Sequence, residues 1–210
     1  MKNYKKKGII KGELELDGNL ILTGDLIVEK WIEVKGYIDC AGYSIKAGVF
    51  IKAGGSIKTG GFIKAGGSIR TGGFIEAVYF IEAGGFIEAG GSIESGGSIE
   101  SGGFIKAGAC IEAVYFIEAG GFIEAGCSIV SQLWIKCTKT LSAELYIYAG
   151  IITWRERNDE DKVIECGKLE KGKIEFGTLR ELGVKKDDIF LSGKEIEIVI
   201  DKNTFKAKIL

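Results

Sequence analysis

An aliphatic residue returns at every sixth position along most of this chain. From Ile45, Ile recurs at 51, 57, 63, 69, 75, 81, 87, 93, 99, 105, 111, 117, 123, 129 and 135, and Leu141 and Ile147 keep the phase. Most units read Gly-Gly-(Ser/Phe)-Ile-(Lys/Glu)-(Ala/Ser/Thr). Upstream, Leu14, Leu20, Leu26, Ile32 and Ile38 are also six apart. The step from Ile38 to Ile45 is seven, which reads as one inserted residue, a bulge. Periodicity of this kind is the mark of a solenoid.

A helix does not explain the pattern. A period of six puts no single face of a helix inward, and a Gly pair in every unit would cost about 1–2 kcal/mol relative to Ala. A short strand explains every position. Ile points inward, its two neighbours point outward, and the small residue two places on points inward again. The Gly pair is expected at the corner, where positive φ and close approach of neighbouring coils are called for. Three such edges close a coil of eighteen residues, and coils stack ~4.8 Å apart. Residues 72–89 and 108–125 are nearly identical, an offset of two coils. The fold class is therefore all-β, a three-faced parallel β-helix, with a right-handed wind favoured.

The period fades after Ile147. Strand-like alternation returns at 163–165, 173–176, 195–200 and 204–209, the last two joined by Asp201-Lys202-Asn203 as a hairpin. The expected division is a β-helix over 8–150 and a small β-rich capping or oligomerisation unit over 151–210, since an open end coil needs a cover.

Composition excludes several classes of chemistry. The chain has no His, so it offers no imidazole base, no Ser-His or Cys-His relay and no His-ligated metal. It has 33 Gly and no Pro. Charge is balanced, 28 basic residues against 29 acidic, so no global field draws it to nucleic acid or anionic membrane. Apolar runs are far short of the ~20 residues of a transmembrane helix. Five Cys lack any metal-ligand spacing and read as small core or corner residues in a reduced, cytoplasmic setting. There is no P-loop and no dinucleotide fingerprint. No enzyme, cofactor or metal is expected.

Two outward positions remain as candidates. The residue after each Ile carries charge sorted along the rod: Lys46, Lys52, Lys58, Lys64 and Arg70, then mostly Glu. Glu82, Glu100 and Glu118 are expected to stack on one face, and Glu76, Glu94 and Glu112 on another. The residue before each Ile is aromatic on one side of the rod, where Tyr79-Phe80, Tyr115-Phe116 and Leu133-Trp134 replace small residues. Corner packing would account for such rings, yet clustered aromatics on one side are also what a protein–protein contact uses. Tyr79, Phe80, Tyr115, Phe116 and Trp134 are the candidate interaction residues.

The hexad shares its aliphatic spacing with the left-handed hexapeptide acyltransferases, but their catalytic His is missing. The pattern over residues 8–150, and most of all GELELDGNLILTGDLIVEKWIEVKGYIDCAG at 12–42, resembles the bactofilins. That resemblance implies a compact right-handed β-helix that is not an enzyme and polymerises end to end. The expectation is a rigid cytoplasmic scaffold that acts on a protein partner or on further copies of itself, as homodimer or filament, with no direct nucleic-acid binding and no membrane insertion. The alternative is a charged rod that imitates nucleic acid and occupies a nucleic-acid enzyme, as phage-encoded anti-restriction or anti-CRISPR proteins do.

Overall fold

The structure, a computed structural model, describes residues 1–152 and 154–183, and the backbone of the strands Glu195–Ile200 and Asn203–Lys208. Each regular hexad forms a three-residue strand that pairs in parallel with strands one coil away on either side. Ile75 lies between Ile57 and Ile93, Ile81 between Ile63 and Ile99, and Ile87 between Ile69 and Ile105. Three columns of such strands build a parallel β-solenoid of about ten coils.

The core follows from the alternation. Every repeat Ile from Ile45 to Ile135 is 0% exposed, and the small residue two places on is buried above or below its counterparts. Burying each Ile contributes about 1.5–3 kcal/mol, repeated once per strand. Where Ser or Thr replaces Ala inside, its hydroxyl is satisfied locally. Ser95 Oγ donates to the Tyr79 carbonyl at 2.6 Å, and Thr71 Oγ1 donates to the Gly73 carbonyl at 2.8 Å. These polar atoms therefore sit in the core without an unmet bond.

The corners work differently from the sequence expectation. Among the described residues, the glycines with positive φ are Gly8, Gly12, Gly42, Gly150, Gly172, Gly177 and Gly183, none of them in a Gly pair of the regular repeat. Close approach is what requires Gly there. A Cβ on Gly102 would overlap the carbonyl oxygen of Gly84 in the coil before. The bare corners let the ladder continue around the bend: Gly102 N donates to Ala83 O at 2.9 Å and Gly103 N to Gly85 O at 2.7 Å. The inserted residue after Ile38 is likewise a corner feature and not a bulge within a strand. Ala41 (φ 42°) and Gly42 (φ 111°) form a tight turn, held by Asp39 Oδ1 accepting from Ala41 N at 2.9 Å.

Parallel stacking extends beyond the periodic segment. Asn3–Ile10 pairs with Asn19–Val28, so the stack begins at Asn3. At the other end Ile164 stacks on Ile135, Leu169 on Leu141, Ile174 on Ile147 and Leu179 on Ile164. The stack thus reaches Glu181, wider than the 8–150 read from the period. The hexad phase is lost because the chain makes an excursion between Ala149 and Val163. Arg155 anchors it with a bidentate bond to the buried Asp161 carboxylate at 2.8 and 2.7 Å, and holds that carboxyl below its usual pKa.

Glu195–Ile200 and Asn203–Lys208 form an antiparallel two-stranded sheet. Asp201 and Lys202 of the expected turn, and Ile209 of the expected strand, lie outside the described residues. Among the described residues no helix is long and apolar enough to cross a membrane.

Candidate functional site

The residues that precede Ile63, Ile81, Ile99, Ile117 and Ile135 form one column along the rod: Phe62, Phe80, Ser98, Phe116 and Trp134. Their rings lie flat on one another. Phe62 and Phe80 stack at 4.9 Å between centroids with planes 2° apart, and Phe116 and Trp134 at 4.6 Å and 8°. Strand spacing of ~4.8 Å sets this separation, since the side chains of successive coils project in register. The candidate aromatics therefore fall into two kinds. Phe80, Phe116 and Trp134 are half-buried in the ladder. Tyr79 and Tyr115 stand at the corner beside it, 62% and 46% exposed.

Two further residues belong to this face, and only one of them carries a periodic signal in the sequence. Trp154, from the excursion, meets Tyr115 edge-on at 6.1 Å, and its Nε1 donates to Gln132 Oε1 at 3.1 Å. Phe62 continues the ladder beyond the candidate set and shows in the sequence through its place before Ile63. Lys136 lies over the Trp134 ring, its Nζ 5.7 Å from the centroid.

A second ladder runs on the next face, Phe86, Phe104 and Phe122, with stacks of 4.7 and 4.8 Å. Each ladder is broken where Ser replaces the ring, at Ser98 in the first and at Ser68 in the second. We expect Ser98→Phe to restore an unbroken column by stacking on Phe80 and Phe116, and to stabilise the fold by about 1 kcal/mol. A thermal melt with the variant less stable than the parent would show that the column has no room there.

The acidic ladders are in register as expected, Glu76–Glu94–Glu112 on one face and Glu82–Glu100–Glu118 on the other. They are not uniformly unpaired. Where the basic block meets the acidic block, each cation reaches the Glu one coil on: Lys58–Glu76 at 2.9 Å, Lys64–Glu82 at 2.7 Å, Arg70–Glu88 at 3.1 Å. Lys106–Glu124 repeats the arrangement at 2.8 Å. Exposed pairs of this kind contribute ~0.2–1 kcal/mol each, so their main effect is to neutralise the surface. Glu94, Glu100, Glu112 and Glu118 have no ion pair among the described residues. Partial burial, together with the neighbouring Glu82 and Glu118 carboxylates, raises the pKa of Glu100. A raised carboxyl pKa means the folded state holds the charge unwillingly, and this disadvantage is relieved as pH falls through the folded pKa.

Cys40, Cys137 and Cys166 are buried, and burial pushes their thiols up, Cys166 to about 11. They are core side chains held protonated at neutral pH and not nucleophiles. Cys110 and Cys127 stand at corners but depart from the expectation of reduced cysteines: they are bonded to each other, Cα atoms 4.8 Å apart. One turn of the coil brings these residues, separated by 17 in sequence, side by side. Among the described residues no group of three or more Cys, Asp or Glu is placed to hold a metal ion.

What this surface offers is stacking area, two exposed phenols and unpaired carboxylates on a backbone of stacked parallel strands. No protein-family model matches the chain, and no curated protein and no solved structure matches it either.

Proposed function

We propose that this protein is a rigid, non-enzymatic scaffold whose working surface is the face bearing Tyr79, Phe80, Tyr115, Phe116 and Trp134, engaged by a protein partner or by a second copy of the chain. One observation carries this reading. Tyr79 and Tyr115 are exposed on the same column two coils apart, beside unpaired Glu100 and Glu118. Exposed aromatics grouped on one side of a rod are costly to leave in water, and interfaces draw on Tyr and Trp for their anchors. The backbone adds rigidity, so little ordering entropy would be lost on binding. The bactofilin-like pattern belongs to the same proposal and favours self-assembly as one form of it.

The second reading, a rod that imitates nucleic acid, is favoured by charge density. In the coils bearing Glu76, Glu82 and Glu88 and Glu112, Glu118 and Glu124, three Glu at ~4.8 Å is roughly one charge per 1.6 Å of axis, close to the ~1.7 Å of duplex DNA. Lys58, Lys64, Arg70 and Lys106 neutralise several of those charges, which ranks it second. The proposal places the protein in the cytoplasm: the free thiols of Cys40, Cys137 and Cys166 suit a reducing compartment, while the Cys110–Cys127 pair pulls the other way.

Size-exclusion chromatography with light scattering, on the chain alone and after capture from its host's lysate, tests the proposal. A defined oligomer, a filament or a stoichiometric complex is expected. A monomer that captures nothing, or a sample with turnover that a single Glu→Gln change abolishes, would overturn it.

A further inference from the structure

The gap in the first aromatic ladder is a slot of defined thickness. Ile81 N donates to Ser98 O and Ile99 N to Phe116 O, each at 3.0 Å, so Phe80, Ser98 and Phe116 are direct neighbours along the column. Two steps of ~4.8 Å put the Phe80 and Phe116 positions roughly 10 Å apart, with a small side chain between them. One planar group would sit there at the spacing the ladder's own rings keep, 4.6 to 4.9 Å. A cavity of about 580 Å³ opens on the Phe80 side of this gap, lined by Tyr79, Phe80, Ser98, Tyr115, Glu82 and Glu100, with Phe116 forming no part of its wall.

Two observations say what kind of planar group fits. Ser98 is 8% exposed, and its hydroxyl has no hydrogen-bond partner among the described residues although it borders the cavity. Glu100, at the same opening, has no ion pair, and Glu82 and Glu118 on either side crowd its charge. An aromatic ring would fill the slot and leave both groups unanswered. An ammonium would answer the carboxylate and leave the slot empty. A guanidinium does both: it is flat, it stacks on aromatic faces, and it donates in a fork to carboxylate and hydroxyl.

The Ser68 gap on the next face serves as an internal comparison. There the hydroxyl already accepts from Phe86 N at 3.3 Å, and the flanking Lys52 and Arg70 are committed to Glu33 and Glu88. The same geometry at Ser68 carries no unmet group.

We infer that the slot between Phe80 and Phe116, floored by Ser98 and edged by Glu100, receives an arginine side chain of a protein partner. The inference rests on reading this face as a contact surface and names the chemistry that the contact requires.

The test titrates the full chain, labelled with ¹³C in its Phe rings, with four capped tripeptides of the form Gly-X-Gly in which X is Arg, Lys, citrulline or Trp. The Arg peptide is expected to shift the Phe80 and Phe116 ring signals and to bind at least about fivefold more tightly than the Lys or citrulline peptide. Glu100→Gln should weaken it by about fivefold while leaving the fold intact. Ser98→Phe should abolish the shifts, and if that variant misfolds the Glu100→Gln comparison still decides. Equal binding of citrulline would overturn the role of charge, and tighter binding of the Trp peptide would reassign the slot to an aromatic side chain. No shift at Phe80 and Phe116 with any peptide would overturn the inference outright. These outcomes are separable from failure of the scaffold reading. A face that loses its partner when the two tyrosines are truncated, yet binds no Arg peptide, works without the slot.

Discussion

Ile87→Asp is expected to unfold the middle coils, whereas Glu88→Gln, one residue on, is expected to leave them standing. Ile87 is 0% exposed and packs between Ile69 and Ile105 in the same column. Removing its side chain forfeits packing worth about 2–5 kcal/mol, and the new carboxylate adds the cost of an unpaired polar group in an apolar column. Glu88 points the other way, half-exposed and paired with Arg70, so its replacement should change stability by no more than about 0.5–1 kcal/mol. A solenoid couples mainly neighbour to neighbour, so the lesion should be local. Hydrogen exchange is the fitting readout: amides of the strands Ile69–Thr71, Ile87–Ala89 and Ile105–Ala107 should lose protection first. If the two variants exchange and melt alike, the inward–outward alternation is wrong.

That alternation was legible because a single residue type marks it. Ile at every sixth position, flanked by residues that cannot all be buried, leaves few ways to close a chain, and the register from Ile45 to Ile147 follows by counting. What counting missed has physical reasons. The Gly pairs read as conformational switches, but the corner φ values are ordinary. It is the carbonyl of the coil below, such as that of Gly84 beneath Gly102, that excludes a side chain, and an approach between coils is invisible in a local dipeptide. The strands Val163–Cys166 and Thr178–Glu181 continue the stack without the hexad, because pairing needs only backbone, an inward aliphatic such as Ile164 and a bare corner such as Gly167, not a Gly pair every six residues.

The candidate face was legible in part. Placing Tyr79 and Tyr115 on one column needed only the eighteen-residue coil. The pairing of Lys64 with Glu82 needed the same arithmetic applied to opposite charges, and it neutralises one of the three carboxylates of that ladder. The excursion that brings Trp154 against Tyr115 carries no period, so nothing in its spacing announces where it lands. The meaning of Ser98 likewise depends on its neighbours. In sequence it is one more Ser in a repeat where Ser is common, and it becomes a slot only when Phe80 and Phe116 are seen stacked away from it.

Truncating the two exposed phenols together, Tyr79→Ser with Tyr115→Ser, should weaken association by about 2 kcal/mol or more, roughly thirtyfold, with little change in folding. Tyr79 is 62% exposed, and Tyr115 gives up an edge contact with Trp154 worth about 0.5–1 kcal/mol. The companion pair Phe80→Ser with Phe116→Ser reads a different quantity. It breaks the Phe62–Phe80 and Phe116–Trp134 stacks, about 0.5–1.5 kcal/mol each beyond the area buried, so it should lower stability as well as association. The order of the two variants is therefore the diagnostic. If the tyrosine variant keeps its oligomeric state and its captured partners while the phenylalanine variant loses both stability and partners, the rings serve the fold alone and the working surface lies elsewhere on the rod. If the tyrosine variant melts like the parent yet no longer associates, the phenols are the anchors of the contact, presented twice at the spacing of two coils by a backbone that does not have to move to offer them.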